Sequence, residues 1–170
     1  SMGTATMVLF LVNELDMPKP LFGVILTITG LGAIAGSIVA PKASTKFGRS
    51  RMMTFGIVSS SLVLLAQGFA PNLFVWITLA TFGAFAISQW NILLMATYQT
   101  VIPNELYGRI HGTRRTIVWG MMPFGSLLGG ALAHYSLRLP MYVGGVIATS
   151  IAVFSIKFLL HFGSQVESAQ

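Results

Sequence analysis

The sequence predicts an all-α membrane protein, a six-helix transmembrane bundle, from three observations: a low charge content, long apolar runs, and prolines placed mostly between those runs. Of the 170 residues, 54% are apolar before the 18 glycines are counted, and Asp, Glu, Lys and Arg together make up 8%. A soluble domain carries about 25% charged residues, and charged side chains normally cover a water-facing surface. Lipid is the expected solvent. Barrel strands would alternate apolar and polar over about ten residues, and these runs do not alternate.

Crossing a hydrocarbon core of about 30 Å takes about 20 helical residues. The first apolar run, Met2 to Val12, has 11 residues and is expected to be a truncated helix, the far half of a span that begins before residue 1. It has no basic leader, so it does not read as a signal peptide. Five runs of full length follow, over 21–40, 52–70, 73–99, 117–135 and 141–162. The whole chain, 1–170, therefore reads as a single bundle. Pro18, Pro20, Pro41, Pro71, Pro103 and Pro140 are expected between spans, where a missing N–H is harmless. Pro123 alone falls inside one.

The net charge of +6 raises nucleic acid as a partner, but such a binder gathers its basic residues on one face of a soluble body. Here they separate by side of the membrane. Lys42, Lys46, Arg49, Arg51, Arg109, Arg114, Arg115 and Lys157 fall on one side, Lys19 and Arg138 on the other. The positive-inside rule then makes the first side cytoplasmic, together with the carboxy terminus. No nucleic acid is expected as a partner; the lipid bilayer is.

Small residues recur at every fourth position: Gly32, Gly36 and Ala40; Gly125, Gly129 and Ala133; Gly144, Ala148 and Ala152. Membrane helices associate by close packing, and such stripes let backbones approach. Around Pro123, the residues Gly120, Gly125, Gly129 and Gly130 make a stretch expected to pack closely and to kink, either as a hinge or as a static bend.

The run over 73–99 carries the most informative pattern. Thr81, Ala84, Ser88, Asn91, Met95 and Tyr98 are spaced 3, 4, 3, 4 and 3 apart, which puts them on one face of a helix. Gln89 and Trp90 flank that face. A polar stripe at mid-bilayer is costly against lipid. It therefore lines either a water-filled path for a small-molecule substrate or an interhelical contact. Thr81, Ser88, Gln89, Trp90, Asn91 and Met95 are the path candidates.

The acids Glu14, Asp16, Glu105 and Glu167 all lie outside the predicted spans, so no carboxylate sits where a proton relay usually needs one. His134, at the outer end of the run over 117–135, reads as an interfacial residue. The histidines 111, 134 and 161 show no metal-ligand spacing, there is no cysteine, and no Gly-x-Ser-x-Gly motif surrounds Ser126. No metal, cofactor or enzymatic activity is expected.

Several stretches resemble a known family. The segment from Val8 to Arg51 resembles the helix-seven to helix-nine region of a major facilitator superfamily transporter. The run from Trp90 to Ala133 resembles helices ten and eleven of the exporter branch that includes enterobactin and macrolide efflux proteins. Lys46, Phe47, Gly48, Arg49, Ser50 and Arg51 resemble the second copy of the family's basic gate loop, with Thr45 where its aspartate would stand. Pro103, Glu105, Gly108 and Arg109 resemble the loop before helix eleven. Gly120, Pro123, Gly125, Gly129 and Gly130 resemble an antiporter pattern.

The resemblance implies a carboxy-terminal half of twelve helices whose partner is a missing amino-terminal six-helix half. The two halves would rock about a central site, with helices seven, eight, ten and eleven facing it. Lys46, Gly48, Arg49, Arg51, Gly108 and Arg109 would then belong to the cytoplasmic gate loops. The function so implied is export of a small amphipathic compound, such as a drug or siderophore, in exchange for protons across a bacterial inner membrane. The contrasting possibility is a non-transporting multi-pass protein: a receptor, a scaffold or a decayed half gene.

Overall fold

A computed structural model describes the backbone of residues 2–168 and the side chains of 6–156, Lys19 and Asn104 excepted. Lys157, His161 and Glu167 lie outside the described side chains. The helices are α1 (Met2–Glu14), α2 (Phe22–Phe47), α3 (Arg49–Gly68), α4 (Leu73–Val101), α5 (Asn104–Gly120), α6 (Met122–Ala133) and α7 (Leu139–Ser168), with a 3₁₀ turn at Lys19–Leu21. No strand occurs among the described residues.

Four helical stretches are long and apolar enough to cross a membrane: Phe22–Phe47, Leu73–Val101, the consecutive α5 and α6 over Glu105–Ala133, and Leu139–Ile156. The 20 residues of α3 are long enough but less apolar, because the helix opens on Arg49 and Arg51 and carries three consecutive serines, Ser59 to Ser61. It packs between α2, α4 and α7.

The chain stays helical through both basic regions expected to be loops. Instead of stopping at Ala40, α2 continues through Pro41 to Phe47, and α3 begins at Arg49. Lys42 and Lys46 mark where the chain leaves hydrocarbon, yet lysine is a good helix former. Pro41 is thus inside a helix, not between spans. The Ser37 carbonyl it frees is of the kind that neighbours, water and hydroxyls satisfy in membrane helices. Pro140 is likewise helical, at the second position of α7, where its N–H would have been an orphan in any case.

The turn between α2 and α3 is Gly48 alone. Its φ is 88°, its N–H donates to the Ser44 carbonyl at 3.0 Å, and its own carbonyl accepts from Met52 N–H at 3.2 Å. A side chain with a branched Cβ is strained at such a φ. Gly48→Val is expected to cost about 1–3 kcal/mol, read as a lower unfolding midpoint in detergent.

Likewise, α5 begins directly after Pro103, and the span expected over 117–135 is two helices broken at Met121. Pro123 sits in the first turn of α6. A proline there cannot donate to the turn before it, so the break falls just ahead of it.

Two apolar clusters hold opposite ends of the bundle. One gathers Phe10, Leu11, Leu15, Met17, Ile25, Ala70, Trp76, Ala80 and Met141. The other gathers Ala40, Met53, Leu93 and Leu94, with Trp90 and Tyr98 packed against it. Between them α2 crosses α4 on its small-residue stripe, and Gly32, Gly36 and Ala40 are all buried. A Cβ on Gly32 would stand 2.5 Å from the Thr81 carbonyl oxygen, and one on Gly36 would run into the Phe85 carbonyl. The contact of α3 with α7 uses Gly145, whose Cβ would meet Leu65 Cα at 2.6 Å, more closely than it uses Gly144. On α6, Gly129 is buried and Gly125 half-buried. Gly120 and Gly130 have nothing within 4 Å of a Cβ position, so the close packing expected around Pro123 is limited to one side of α6.

At the end opposite the basic regions, Arg138 ties three helices together. Its Nε donates to Glu14 Oε2 at 3.2 Å and its Nη1 to the Gly68 carbonyl at 3.3 Å, which Tyr142 OH also reaches at 2.8 Å. Burial lowers the pKa of Arg138, but its bonds to Glu14 and Tyr142 outweigh this and hold it above the ordinary arginine value. A raised pKa contributes stability that is fully present below the unfolded value, so the arginine's share persists across the working pH range. Arg138→Ala is expected to lower the unfolding free energy by about 1 kcal/mol, since the ion pair is partly exposed, and denaturant titration would read this.

Candidate functional site

α4 is positioned first by its own cap: Asn72 Oδ1 accepts from Val75 N–H at 2.9 Å, which satisfies one orphan donor of the first turn. From there 29 residues run between two neighbours. α2 crosses at Thr81 and Phe85, and α3 packs along Gly83, Ala86 and Trp90. What remains is a third face.

The stripe divides along that face. Thr81, at the α2 seam, is half-buried and spends its hydroxyl on the Ile77 carbonyl at 2.8 Å. Ala84 borders a cavity of about 500 Å³ between α3, α4 and α7, whose polar lining comes from Ser60, Ser61 and Gln67. Further along, Ser88 and Met95 are half-buried and Asn91 is exposed. Tyr98 ends the stripe, with the Arg114 guanidinium 5.5 Å above its ring. Ser88, Asn91 and Met95 thus share one side of α4, and of the three Asn91 is the exposed one.

Gln89 and Trp90 do not share it. Successive helical residues are about 100° apart, so Gln89 points nearly opposite to Asn91. Gln89 is 2% exposed, and its Oε1 has no hydrogen-bond partner among the described residues. Trp90 packs into the Ala40–Met53 cluster and would touch a Cβ placed on Gly56 at 3.1 Å.

The basic residues converge on one end. Lys46 and Arg51 are exposed and Arg49 half-buried around Gly48, with Lys46 Nζ 5.4 Å above the Phe47 ring. Gly108 and Arg109 stand exposed on α5. The Arg114–Tyr98 contact places α5 at that same end, because Tyr98 packs with Ala40 and Met53. His134 is exposed at the other end, edge-on to Tyr135. Among the described residues no three His, Asp or Glu side chains gather as a metal site. The Arg138 tie had one sequence signal, a lone arginine on the acid-bearing side. The cavity beside Ala84 had none, since it depends on how far apart α4 and α7 stand.

A family model described as transmembrane secretion effector matches residues 2–169. The chain belongs to this family. Two curated relatives carry the major facilitator description. It is 24% identical over 144 residues to the uncharacterized MFS-type transporter YceJ of Bacillus subtilis (strain 168), covering 82% of this chain and 34% of that protein. It is 28% identical over 141 residues to the major facilitator-type transporter psiT1 of Psilocybe cyanescens, covering 79% of this chain and 27% of that one. The chain therefore spans about a third or less of the length of these relatives. No solved structure matches it significantly. Family membership together with the apolar helices makes it a multi-pass membrane protein.

Proposed function

We propose that the chain is the carboxy-terminal six-helix half of a secondary transporter, working with an amino-terminal six-helix half by alternating access. Its cargo is a small amphipathic compound of the drug or siderophore kind, exported in exchange for protons. It resides in a bacterial inner membrane with its basic end and carboxy terminus in the cytoplasm. No bond is made or broken in this work, and no metal or cofactor takes part.

The observation that carries the reading is the exposed Asn91, flanked by half-buried Ser88 and Met95, deep within an apolar helix. An amide there is costly against acyl chains and inexpensive against a water-filled path. On this reading Ser88 and Asn91 offer hydrogen bonds to the cargo and Met95 an adaptable apolar surface. Thr81 sits at the outer end of the path, while Gln89 and Trp90 support it from behind. The gate residues are Lys46, Gly48, Arg49, Arg51, Gly108 and Arg109, and the Pro123 break lets α5 and α6 bend. Glu14 ends α1, Asp16 follows it, and Glu105 opens α5, so the acid that couples to protons belongs to the other half.

The natural absence of cysteine makes the path directly testable. In membranes containing both halves, Ser88→Cys, Asn91→Cys and Met95→Cys are expected to react with a small hydrophilic thiol reagent at least about tenfold faster than Leu93→Cys, which is buried. An Asn91→Cys chain that stays unreactive while Gln99→Cys reacts would place this face against lipid and end the proposal. The coupling has its own readout: in inside-out vesicles an imposed proton gradient should drive cargo uptake, and a protonophore should abolish it.

A further inference from the structure

α5 packs less closely than its neighbours, meeting chiefly α4 and α6. Along one side of it runs an open groove of about 770 Å³, lined by Leu106, Arg109, Ile110, Thr113, Arg114, Ile117 and Val118. The four aliphatic residues are all exposed, Ile117 by 62%. At 100° per residue, Arg109 and Arg114 stand about 140° apart with Ile110 and Ile117 between them. Two cations therefore flank an aliphatic floor.

Among the described residues neither cation forms an ion pair with an acid. The one carboxylate on this helix, Glu105, lies beyond the Arg109 flank and forms no ion pair with either arginine among the described residues. Arg114 lies over the Tyr98 ring, its guanidinium carbon 5.5 Å from the centroid, a contact that brings no negative charge to it. Arg115 points elsewhere, over Trp119 at 4.6 Å. A bare anion would leave the aliphatic floor in water, and a neutral lipid would leave two charges unanswered. Both demands are met by a molecule with a phosphate at one end and an acyl chain at the other.

We propose that the α5 groove binds an anionic phospholipid, its phosphate held by Arg109 and Arg114 and one acyl chain laid along Ile110, Ile117 and Val118. The floor from residue 106 to 118 rises about 18 Å, enough to run from the headgroup region into hydrocarbon. Basic pockets at the surface of an anionic leaflet take such headgroups, each arginine contributing about fivefold in affinity.

Trp119 lies with Arg115 on the other side of α5, so the reporter is Thr113→Trp, in the groove lining, with Trp119→Phe; this chain, both arginines kept, is the unsubstituted one below. The full chain is reconstituted in phosphatidylcholine vesicles, with either phosphatidylglycerol or additional phosphatidylcholine carrying brominated chains that quench tryptophan. Phosphatidylglycerol is expected to be preferred by about 25-fold, and salt should erode that preference. Arg109→Gln with Arg114→Gln should bring it close to one, while Arg109→Lys with Arg114→Lys should keep most of it. Arg51→Gln, a charge loss at the same end on another helix, should leave it intact. Equal quenching by the two lipids in the unsubstituted chain would overturn the proposal. An equal loss in Arg51→Gln would do the same, by showing a diffuse basic collar. Relief of quenching by soluble glycerol phosphate would show an anion site with no use for the chain. If the glutamine pair fails to insert, the salt arm decides: a preference that salt leaves unchanged refutes the two-arginine site.

Discussion

Gly36→Ala is expected to lower the unfolding free energy by about 2–3 kcal/mol, and Gly30→Ala, on the same helix, to leave it unchanged or slightly raised. The contrast follows from what each new methyl would meet. At Gly36 it would run into the Phe85 backbone carbonyl, whereas at Gly30 nothing lies within 4 Å. Backbone cannot rotate out of the way as a side-chain tip can, so α2 must back off from α4, and overpacking of this kind typically costs about 1–3 kcal/mol. The approach also favours weak Cα–H to carbonyl contacts that the shift would lose. At Gly30 the only change is helix propensity, which favours alanine by about 1 kcal/mol. Thermal or denaturant unfolding in detergent, followed by circular dichroism, reads both. Equal shifts in the two variants would mean that the α2–α4 seam is looser than drawn.

That seam also aims α4. Because α2 grips Thr81 and Phe85 and α3 grips Gly83, Ala86 and Trp90, the rotation of α4 about its axis is set, and with it the direction of Asn91. A Gly36→Ala chain that still folds is therefore expected to react more slowly at Asn91→Cys, as α4 turns to relieve the clash.

The packing stripe of α2 was legible in the sequence, though not that α4 is what meets it, because its requirement is local: glycines four apart on a run long enough to cross. The spacing of the polar stripe was legible for the same reason, since 3.6 residues per turn fixes which side chains share a face. Which neighbour covers each side was not. Gln89 and Trp90 adjoin the stripe along the chain, yet a step of one or two residues swings a side chain 100° or 200° around the helix. Only the positions of α2 and α3 show that they lie in contacts. The basic regions misled differently. Charge and proline say where hydrocarbon ends, and that is a different place from where helix ends. Water lifts the first constraint without imposing the second, so α2 runs past Pro41 to Phe47, and α5 starts one residue beyond Pro103. Arg138 and Glu14 are far apart in sequence and tied by no spacing rule; nothing short of the bundle brings them together.

Asn91→Leu is expected to cut transport by roughly fivefold while leaving stability unchanged, and Gln89→Met to raise stability while leaving transport unchanged. Asn91 is exposed, so leucine there disturbs no packing and removes only a hydrogen-bonding group offered to the cargo, a loss of about 1 kcal/mol. Gln89 is 2% exposed with Oε1 unpartnered among the described residues. A buried orphan of this kind costs about 1–3 kcal/mol, and methionine fills nearly the same volume without the polar atom. The variant should unfold at higher denaturant and transport at the original rate. Both are measured with the two halves present, flux in vesicles and unfolding in detergent. Adjacent polar residues on one helix thereby separate the two readings of the stripe. If Gln89→Met loses transport and Asn91→Leu keeps it, the path runs on the buried side of α4, and α2 must move off that side for cargo to reach it.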